Sequence, residues 1–244
     1  MTPLIALLVS LVPSILLFLN LYNDRNKDEG YRSDCRGLFW SGLLSAVFVT
    51  VACLILDIAW SLIGIKTAHP LINQLFRAFI IAATVEECAK FVVVRPYFRK
   101  NRDTLTRLDV LTYLSISALS FGMLESVVYL FESNIGQILV KGFLLGHVGY
   151  GMIMGLLYGK GLAENKMIYK VLALLVPILL HGSYDFCLKD DVSDVLAVIV
   201  VTGTFLMTVF IIYMIFFIGK KRRDPAYNTP LMRGADVIDD TEQR

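Results

Sequence analysis

Seven apolar segments, separated by charged linkers, constrain the fold of this chain more than any other feature. Each is close to the roughly 20 residues that an α-helix needs to cross a bilayer, and the last carries no charge between Val195 and Gly219. We place the spans at residues 3–21, 38–63, 73–94, 109–131, 138–159, 168–188 and 192–219. The sequence therefore predicts an all-α polytopic membrane bundle with about seven transmembrane helices.

The composition agrees with a membrane protein. Hydrophobic residues make up 56% of the chain and charged residues only 18%, whereas about a quarter of a soluble domain is charged. The net charge of +2 is too small to indicate nucleic acid as a partner, and no basic–aromatic motif is present. The first apolar segment has no cleavage site, so we interpret it as a retained span. We expect a multi-pass protein of the cell membrane, surrounded by the lipid bilayer.

Basic residues are distributed unevenly between the two predicted sides of the bundle. Of the 23 Lys and Arg residues, 18 fall in the linkers after spans 1, 3 and 5 or near the C-terminus, and four fall on the other side. Cytoplasmic loops carry the excess of Lys and Arg, which predicts an N-terminus outside and a C-terminus in the cytoplasm. Residues 1–219 would form one transmembrane domain, and residues 220–244 a basic-then-acidic cytoplasmic tail that is disordered.

Ionisable residues inside four of the apolar segments predict one polar site within the bundle. A charged side chain at the bilayer centre costs about 2.5–3.5 kcal/mol on insertion scales, so such residues are candidates for function. They are Glu86, Glu87 and Lys90 in the third segment, Glu125 in the fourth, His147 in the fifth, and His181 and Asp185 in the sixth. Because none can face hydrocarbon cheaply, we expect them to converge on one water-accessible cavity.

The residue spacings in the third and fourth segments determine which side chains share one face of each helix. Lys90 lies one turn after Glu86 and Glu87 and can pair with either carboxylate. One carboxylate is then in excess and is suited to general-base work on a water; the alternative is an ion-paired packing contact without chemistry. Phe121 and Glu125 are four residues apart and share one face, and the glutamate could equally be a hydrogen-bonded structural group.

The fifth and sixth segments supply the histidines. His147 begins a four-residue stripe that continues with Gly151, Gly155 and Gly159. Glycines at this spacing let a neighbouring helix approach closely, so the stripe indicates packing and the histidine is the functional candidate. His181 and Asp185 also point the same way. The aspartate could fix the histidine tautomer, both could bind a metal, or they could form a structural hydrogen bond.

Taken together, these segments resemble the PrsW family of intramembrane proteases. The motifs, in family order, are EExxK (Glu86, Glu87, Lys90), FxxxE (Phe121, Glu125), HxxxGxxMG (His147, Gly151, Met154, Gly155) and HGSYDF (residues 181–186). They cover about residues 80–190. The CAAX-prenyl endopeptidases of the same superfamily are less similar, since they carry EExxxR, FxxxH and HxxxN. One departure is Ser126, where many PrsW proteins have asparagine; we expect it to alter a hydrogen bond rather than the chemistry.

The resemblance implies peptide-bond hydrolysis in or beside the membrane, which makes residues 1–219 a transmembrane protease domain. It also implies a substrate: a single-pass membrane protein such as an anti-sigma factor. The first, site-1 cut of that substrate removes its extracellular part during stress signalling.

Two catalytic assignments fit the residues. In the glutamate version, Glu86 or Glu87 activates a water together with His147, and His181 stabilises the oxyanion. In the metal version, His147 and His181 bind a divalent ion such as zinc together with carboxylates from Glu125 or Asp185, and a glutamate of the third span is the base. The chain has no HExxH motif, so a metal is not required, and the sequence slightly favours the glutamate version.

Two other classes of membrane protein would also place carboxylates and imidazoles in mid-membrane. One is an ion- or proton-coupled transporter, but the chain shows no internal repeat of the kind on which many transporters are built. The other is a catalytically silent scaffold of the same fold, which would be expected to have lost at least one of these costly groups.

Overall fold

The computed structural model describes residues 3–23, 28–62, 70–132, 146–187 and 194–231. Within these ranges the chain is helical apart from short connections and one isolated bridge between Thr106 and Pro230, which confirms the all-α prediction. The helices are α1 (Pro3–Tyr22), α2 (Glu29–Leu62), α3 (Pro70–Leu75), α4 (Val85–Val92), α5 (Arg95–Lys100), α6 (Arg107–Glu132), α7 (Gly146–Ala163), α8 (Met167–Cys187), α9 (Asp194–Lys221) and α10 (Pro225–Asn228). A π-helical segment, Phe76–Thr84, joins α3 to α4.

Four helices in the described part of the chain are long and apolar enough to cross a membrane. They are Glu29–Leu62, Arg107–Val127, Met167–Cys187 and Thr202–Lys221. Large apolar side chains on their outer faces are exposed, among them Phe48 at 66% and Phe216 at 73%. An exposed surface this apolar would promote aggregation in water and is suited to contact with lipid. The remaining three predicted spans and the orientation stay predictions.

Helix α6 runs through the centre of the bundle. Its apolar stretch is 72% buried, against 22% in each of the other three candidate spans. The hydroxyls of Thr112, Ser115 and Ser120 each donate to the carbonyl four residues earlier, at 2.7–3.0 Å, so these small polar side chains are buried with their hydrogen bonds made. The central position explains how α6 can present groups to α2, α4 and α7 at once.

The glycine stripe of α7 packs against α6, as the sequence predicts. A Cβ added at Gly151 would lie 2.7 Å from the carbonyl oxygen of Leu114. A Cβ at Gly155 would lie 2.6 Å from the Cα of Leu111. Only glycine allows the two backbones to approach this closely, and this contact fixes the position of His147 at the start of α7.

Helix α2 begins at Glu29, well before residue 38, where the sequence predicts the span to begin. Its first turns are polar, but one face is buried through Tyr31, Asp34 and Cys35. The Asp34 carboxylate accepts hydrogen bonds from Lys100 at 2.5 Å, Asn101 at 2.5 Å and the Tyr113 hydroxyl at 3.2 Å. Tertiary contacts with the α5–α6 connection therefore extend the helix beyond its apolar part.

Replacing Asp34 by alanine should destabilise the protein strongly. The carboxylate is buried, and its removal leaves the Tyr113 hydroxyl and the Asn101 amide without this acceptor. Lys100 is 59% exposed and stays solvated without its partner, so the loss comes mainly from the hydrogen bonds to the buried carboxylate and lowers the free energy of unfolding by about 1–3 kcal/mol. Thermal unfolding in detergent measures the effect. Glu29→Ala is the matched control, because the exposed Glu29 also pairs with an arginine of α2, at 2.8 Å, and should change little. Equal melting temperatures for the two variants would contradict the argument.

The start of the C-terminal tail, which the sequence predicts to be disordered from residue 220, is described as far as Leu231. Asp224 caps α10 by accepting a hydrogen bond from the Ala226 amide at 3.0 Å. Hydrogen bonds from the Lys221 ammonium and from that amide hold the pKa of the Asp224 carboxyl below its usual range. The Leu231 amide then donates to the Leu105 carbonyl at 2.8 Å. Residues 232–244 lie outside the described residues.

Candidate functional site

Helix α4 carries two adjacent glutamates that lie in different surroundings. Glu87 is fully buried, and its Oε1 accepts a hydrogen bond from Lys90 Nζ at 2.6 Å. Glu86 is 12% exposed, and its Oε2 lies 3.9 Å from the same ammonium. Lys90 was predicted to pair with either carboxylate; it contacts both, but Glu87 much more closely. Glu86 is therefore the carboxylate in excess.

The helix leading to these glutamates is π-helical over Phe76–Thr84. Such segments are rare and are found frequently at functional sites. Within this segment, the Thr84 hydroxyl donates to the Phe79 carbonyl, five residues earlier, at 2.7 Å. The segment also brings the Phe79 ring against Gly182 of α8, where a Cβ would lie 2.8 Å from a ring carbon. Close packing of α8 on this segment places His181 over the glutamates.

His181 links the two glutamates of α4 to α8. Its Nδ1 lies 2.8 Å from Glu87 Oε1, and a carboxylate there accepts, so Nδ1 carries the proton. Its Nε2 lies 3.7 Å from Glu86 Oε2 and 3.3 Å from Asp185 Oδ2. The predicted pairing of His181 with Asp185 is therefore present. The Glu87 carboxylate orients the ring, and Nε2 is left facing the more exposed carboxylates.

His147 contacts α4 and α6 rather than lipid. Lys90 Nζ lies 2.7 Å from His147 Nδ1. An ammonium can only donate, so Nδ1 accepts, and the proton of a neutral imidazole is on Nε2. That nitrogen contacts Glu125 Oε2 of α6. Glu125, His147, Lys90, Glu87 and His181 thus form one continuous chain of polar contacts across four helices.

Aromatic rings and a glycine hold the two imidazoles in place. Phe121 of α6 is buried; its ring lies 4.5 Å from Lys90 Nζ and 5.6 Å from the His147 ring. The ring of Tyr150 stacks on His181 at 5.3 Å with an interplanar angle of 18°. At Gly122 a Cβ would lie 2.9 Å from a carbon of the His147 ring. Tyr150 and Gly122 are not among the residues predicted from the sequence. The spacing of three residues from His147 to Tyr150 is the signal that could have identified the tyrosine.

Three of these residues could hold a metal ion. Glu86, His147 and His181 each offer one ligand atom, and the three atoms lie within 4.8 Å of one another. Glu86 Oε2 is buried and has no hydrogen-bond partner among the described residues, an arrangement that is costly unless a cation compensates it. Two imidazoles and a carboxylate are also a donor set of catalytic zinc sites. The residues therefore fit a divalent metal.

This cluster differs from the ligand set that the sequence suggested. The two histidines belong to both sets, but the third member is Glu86, and neither Glu125 nor Asp185 is part of the cluster. Glu125 contacts His147, and Asp185 contacts His181. These two carboxylates thus flank the candidate metal ligands.

A cavity of about 270 Å³ opens beside the cluster. Its walls come from α6, α7, α8 and α9 and include Glu125, His147, His181 and Asp185. Tyr184 of α8 and four residues of α9 (Ile199, Gly203, Thr204 and Met207) also line it. No charged or histidine residue marks this part of α9, so its contribution could not be predicted from the sequence. The site combines a polar cluster with a mainly apolar cavity inside a helical bundle.

Comparisons with known proteins agree with this geometry. The profile described as PrsW family intramembrane metalloprotease matches residues 35–218. A protein of Clostridioides difficile named Protease PrsW is 26% identical over 194 residues, which are 75% of this chain and 79% of that protein. Proteins of the same name from Oceanobacillus iheyensis and Bacillus subtilis are 29% and 30% identical, over 60% and 48% of this chain and 70% and 56% of their own lengths. No solved structure matches the chain significantly.

Proposed function

We propose that this chain, which belongs to the PrsW family of intramembrane metalloproteases, makes the first, site-1 cut in a single-pass membrane protein of the anti-sigma-factor type. Its activity as an intramembrane protease follows from the family. The observation that carries the proposal is the placement of the Glu86–His147–His181 cluster beside a cavity between helices. A cavity with mainly apolar walls suits a membrane-anchored polypeptide better than a soluble one.

The metal version of the mechanism is the one that we propose, with Glu86, His147 and His181 as the ligands. A bound divalent ion such as zinc supplies Lewis-acid polarisation of the carbonyl and an activated water. Glu87 holds the Nδ1 proton of His181, so that Nε2 faces the cluster. Lys90 contacts Nδ1 of His147, and Nε2 contacts Glu125. A metal bound at Nε2 would replace the Glu125 contact and the Nε2 proton, and the proton shared between Lys90 and His147 would then lie on Nδ1. Such contacts behind the ligands fix their orientation.

Two carboxylates are placed for proton transfer. Glu125 and Asp185 both line the cavity, and their side chains are 19% and 28% exposed, so water can reach them. A peptide hydrolase needs a group that accepts a proton from the attacking water and one that returns a proton to the leaving amine. In the alternative glutamate version, Glu86 would itself be the base and His181 would stabilise the oxyanion.

A proteoliposome assay tests the proposed function. Purified protein is reconstituted with a single-pass anti-sigma factor from the same organism, and cleavage products are identified by mass spectrometry. We expect the wild type to remove the extracellular part of the substrate and Glu86→Gln to be at least about 100-fold slower. Glu164→Gln, which changes a glutamate in the connection after α7, should cleave as the wild type does.

A chelator should stop cleavage in the metal version and have no effect in the glutamate version. If the anti-sigma factor remained intact while other single-pass proteins were cleaved under the same conditions, the substrate proposal would be wrong.

We also propose an orientation of the bundle in the membrane. The bridge between Thr106 and Pro230 and the contact of the Arg107 guanidinium with the Tyr227 ring, at 4.7 Å, bring the α5–α6 connection and the tail start to one end of the bundle. Both segments belong to the basic side, so we propose that this end is cytoplasmic.

A cysteine-labelling experiment checks the orientation. Arg102→Cys, in a variant without the four natural cysteines, should react with an impermeant maleimide only after the cells are permeabilised, because residue 102 would lie in the cytoplasm. Reaction in intact cells would reverse the orientation.

A further inference from the structure

Helix α9 closes one side of the cavity but contributes no ionisable residue to it. Gly203, Thr204 and Met207 lie on one face of α9 and line the cavity together with polar groups of α8. Met207 packs against Gly149 of α7, where an added Cβ would lie 2.9 Å from Met207 Cγ. Beyond that contact the cavity extends to Gly203.

Gly203 differs from the packing glycines of the bundle. A Cβ added there would meet no heavy atom within 4 Å, whereas a Cβ at Gly155 would collide with backbone. The glycine is therefore not required for helix contact in the described structure. Gly203 is exposed at the edge of the cavity, and its missing side chain leaves open space there.

The space is large enough for a substantial side chain. The cavity of about 270 Å³ exceeds an engineered protein cavity of about 150 Å³ that accepts benzene. Apart from the carboxylates and histidines, its walls include Leu180, Ile199 and Met207. An apolar recess beside reacting groups selects substrates by the size and polarity of the side chain that it receives.

We propose that Gly203 and Met207 of α9 form a specificity pocket for a large apolar side chain, of the leucine or phenylalanine class, next to the scissile bond. The proposal rests on the proposed function, because it assumes that peptide hydrolysis takes place at the Glu86–His147–His181 cluster. Glycine at position 203 gives the pocket its depth, and the sulfur-containing side chain of Met207 can adapt to different occupants.

The test compares two glycines of the same helix. In Gly203→Leu the new side chain fills the pocket. Gly219→Leu is the matched control, since a Cβ at Gly219 also meets nothing within 4 Å but the residue does not line the cavity. Both add the same side chain to α9, so both should leave thermal unfolding close to that of the wild type. Gly203→Ala adds only a methyl group and should therefore have a smaller effect of the same kind.

The probe is a detergent-solubilised library of peptides prepared from a digested membrane proteome, and mass spectrometry locates each cut. We expect the wild type and Gly219→Leu to cut beside Leu or Phe. Gly203→Leu should lose at least about tenfold in kcat/KM for those peptides while retaining cleavage beside Ala or Gly, with Gly203→Ala intermediate. If folded Gly203→Leu kept the residue preference of the wild type while Glu86→Gln was inactive, the pocket proposal would be wrong and the protease proposal would stand. Equal cleavage by Glu86→Gln and the wild type would overturn the proposed site itself, and the pocket with it.

Discussion

Glu87→Gln is expected to lower the free energy of unfolding by about 3–5 kcal/mol, a large fraction of the 5–15 kcal/mol or so that stabilises a typical protein. Glutamine has nearly the same shape but no charge. The variant would leave the Lys90 ammonium buried without its closest counter-ion, at 2.6 Å, and would replace the charged acceptor that orients His181 by a weaker, neutral amide oxygen. Thermal and denaturant unfolding in detergent measure the loss.

Glu86→Gln is the natural control, because it makes the same chemical change one residue earlier. Glu86 is partly exposed and lies 3.7–3.9 Å from its charged neighbours, so this variant should keep its fold while losing cleavage. Glu87→Gln is thus expected to lower stability, whereas Glu86→Gln is expected to abolish cleavage and keep the fold. Two variants with the same melting temperature would contradict the division of roles between Glu87 as a positioning residue and Glu86 as a catalytic one.

The sequence predicts much of this architecture because a membrane restricts what an apolar chain can do. Long apolar segments must be helices, and ionisable groups within them must find one another. Those two constraints predict the all-helical fold and the convergence of Glu125, His147 and His181. The glycine stripe of α7 likewise predicts a close helix contact, which α6 provides.

The features that escaped prediction depend on contacts distant in sequence. Whether Glu86 or Glu87 is the buried partner of Lys90 is decided by His181, 94 residues after Glu87, and not by the local spacing. The π-helical segment packs against Gly182 of α8, and no pattern in Phe76–Thr84 predicts its conformation. The space beside Gly203 exists because glycine has no side chain, and a single glycine in an apolar helix does not predict a cavity.

The second large effect is expected at His181. Its removal takes away one candidate metal ligand and the partner of Glu87. Loss of a residue behind a ligand weakens metal binding by about 10–100-fold, so we expect His181→Ala, which removes a ligand itself, to weaken binding by more than about 100-fold and to abolish cleavage. Glu164→Gln should keep both properties.

The metal content of the purified protein is a direct test of whether Glu86, His147 and His181 hold the metal of this intramembrane protease. Inductively coupled plasma mass spectrometry of protein purified without chelator should find a divalent metal, at one ion per chain, in the wild type and in Glu164→Gln. The metal should be absent from His181→Ala that remains folded. A wild-type protein that cleaves its substrate at full rate with no bound metal, or a His181→Ala variant that retains the metal, would contradict the account.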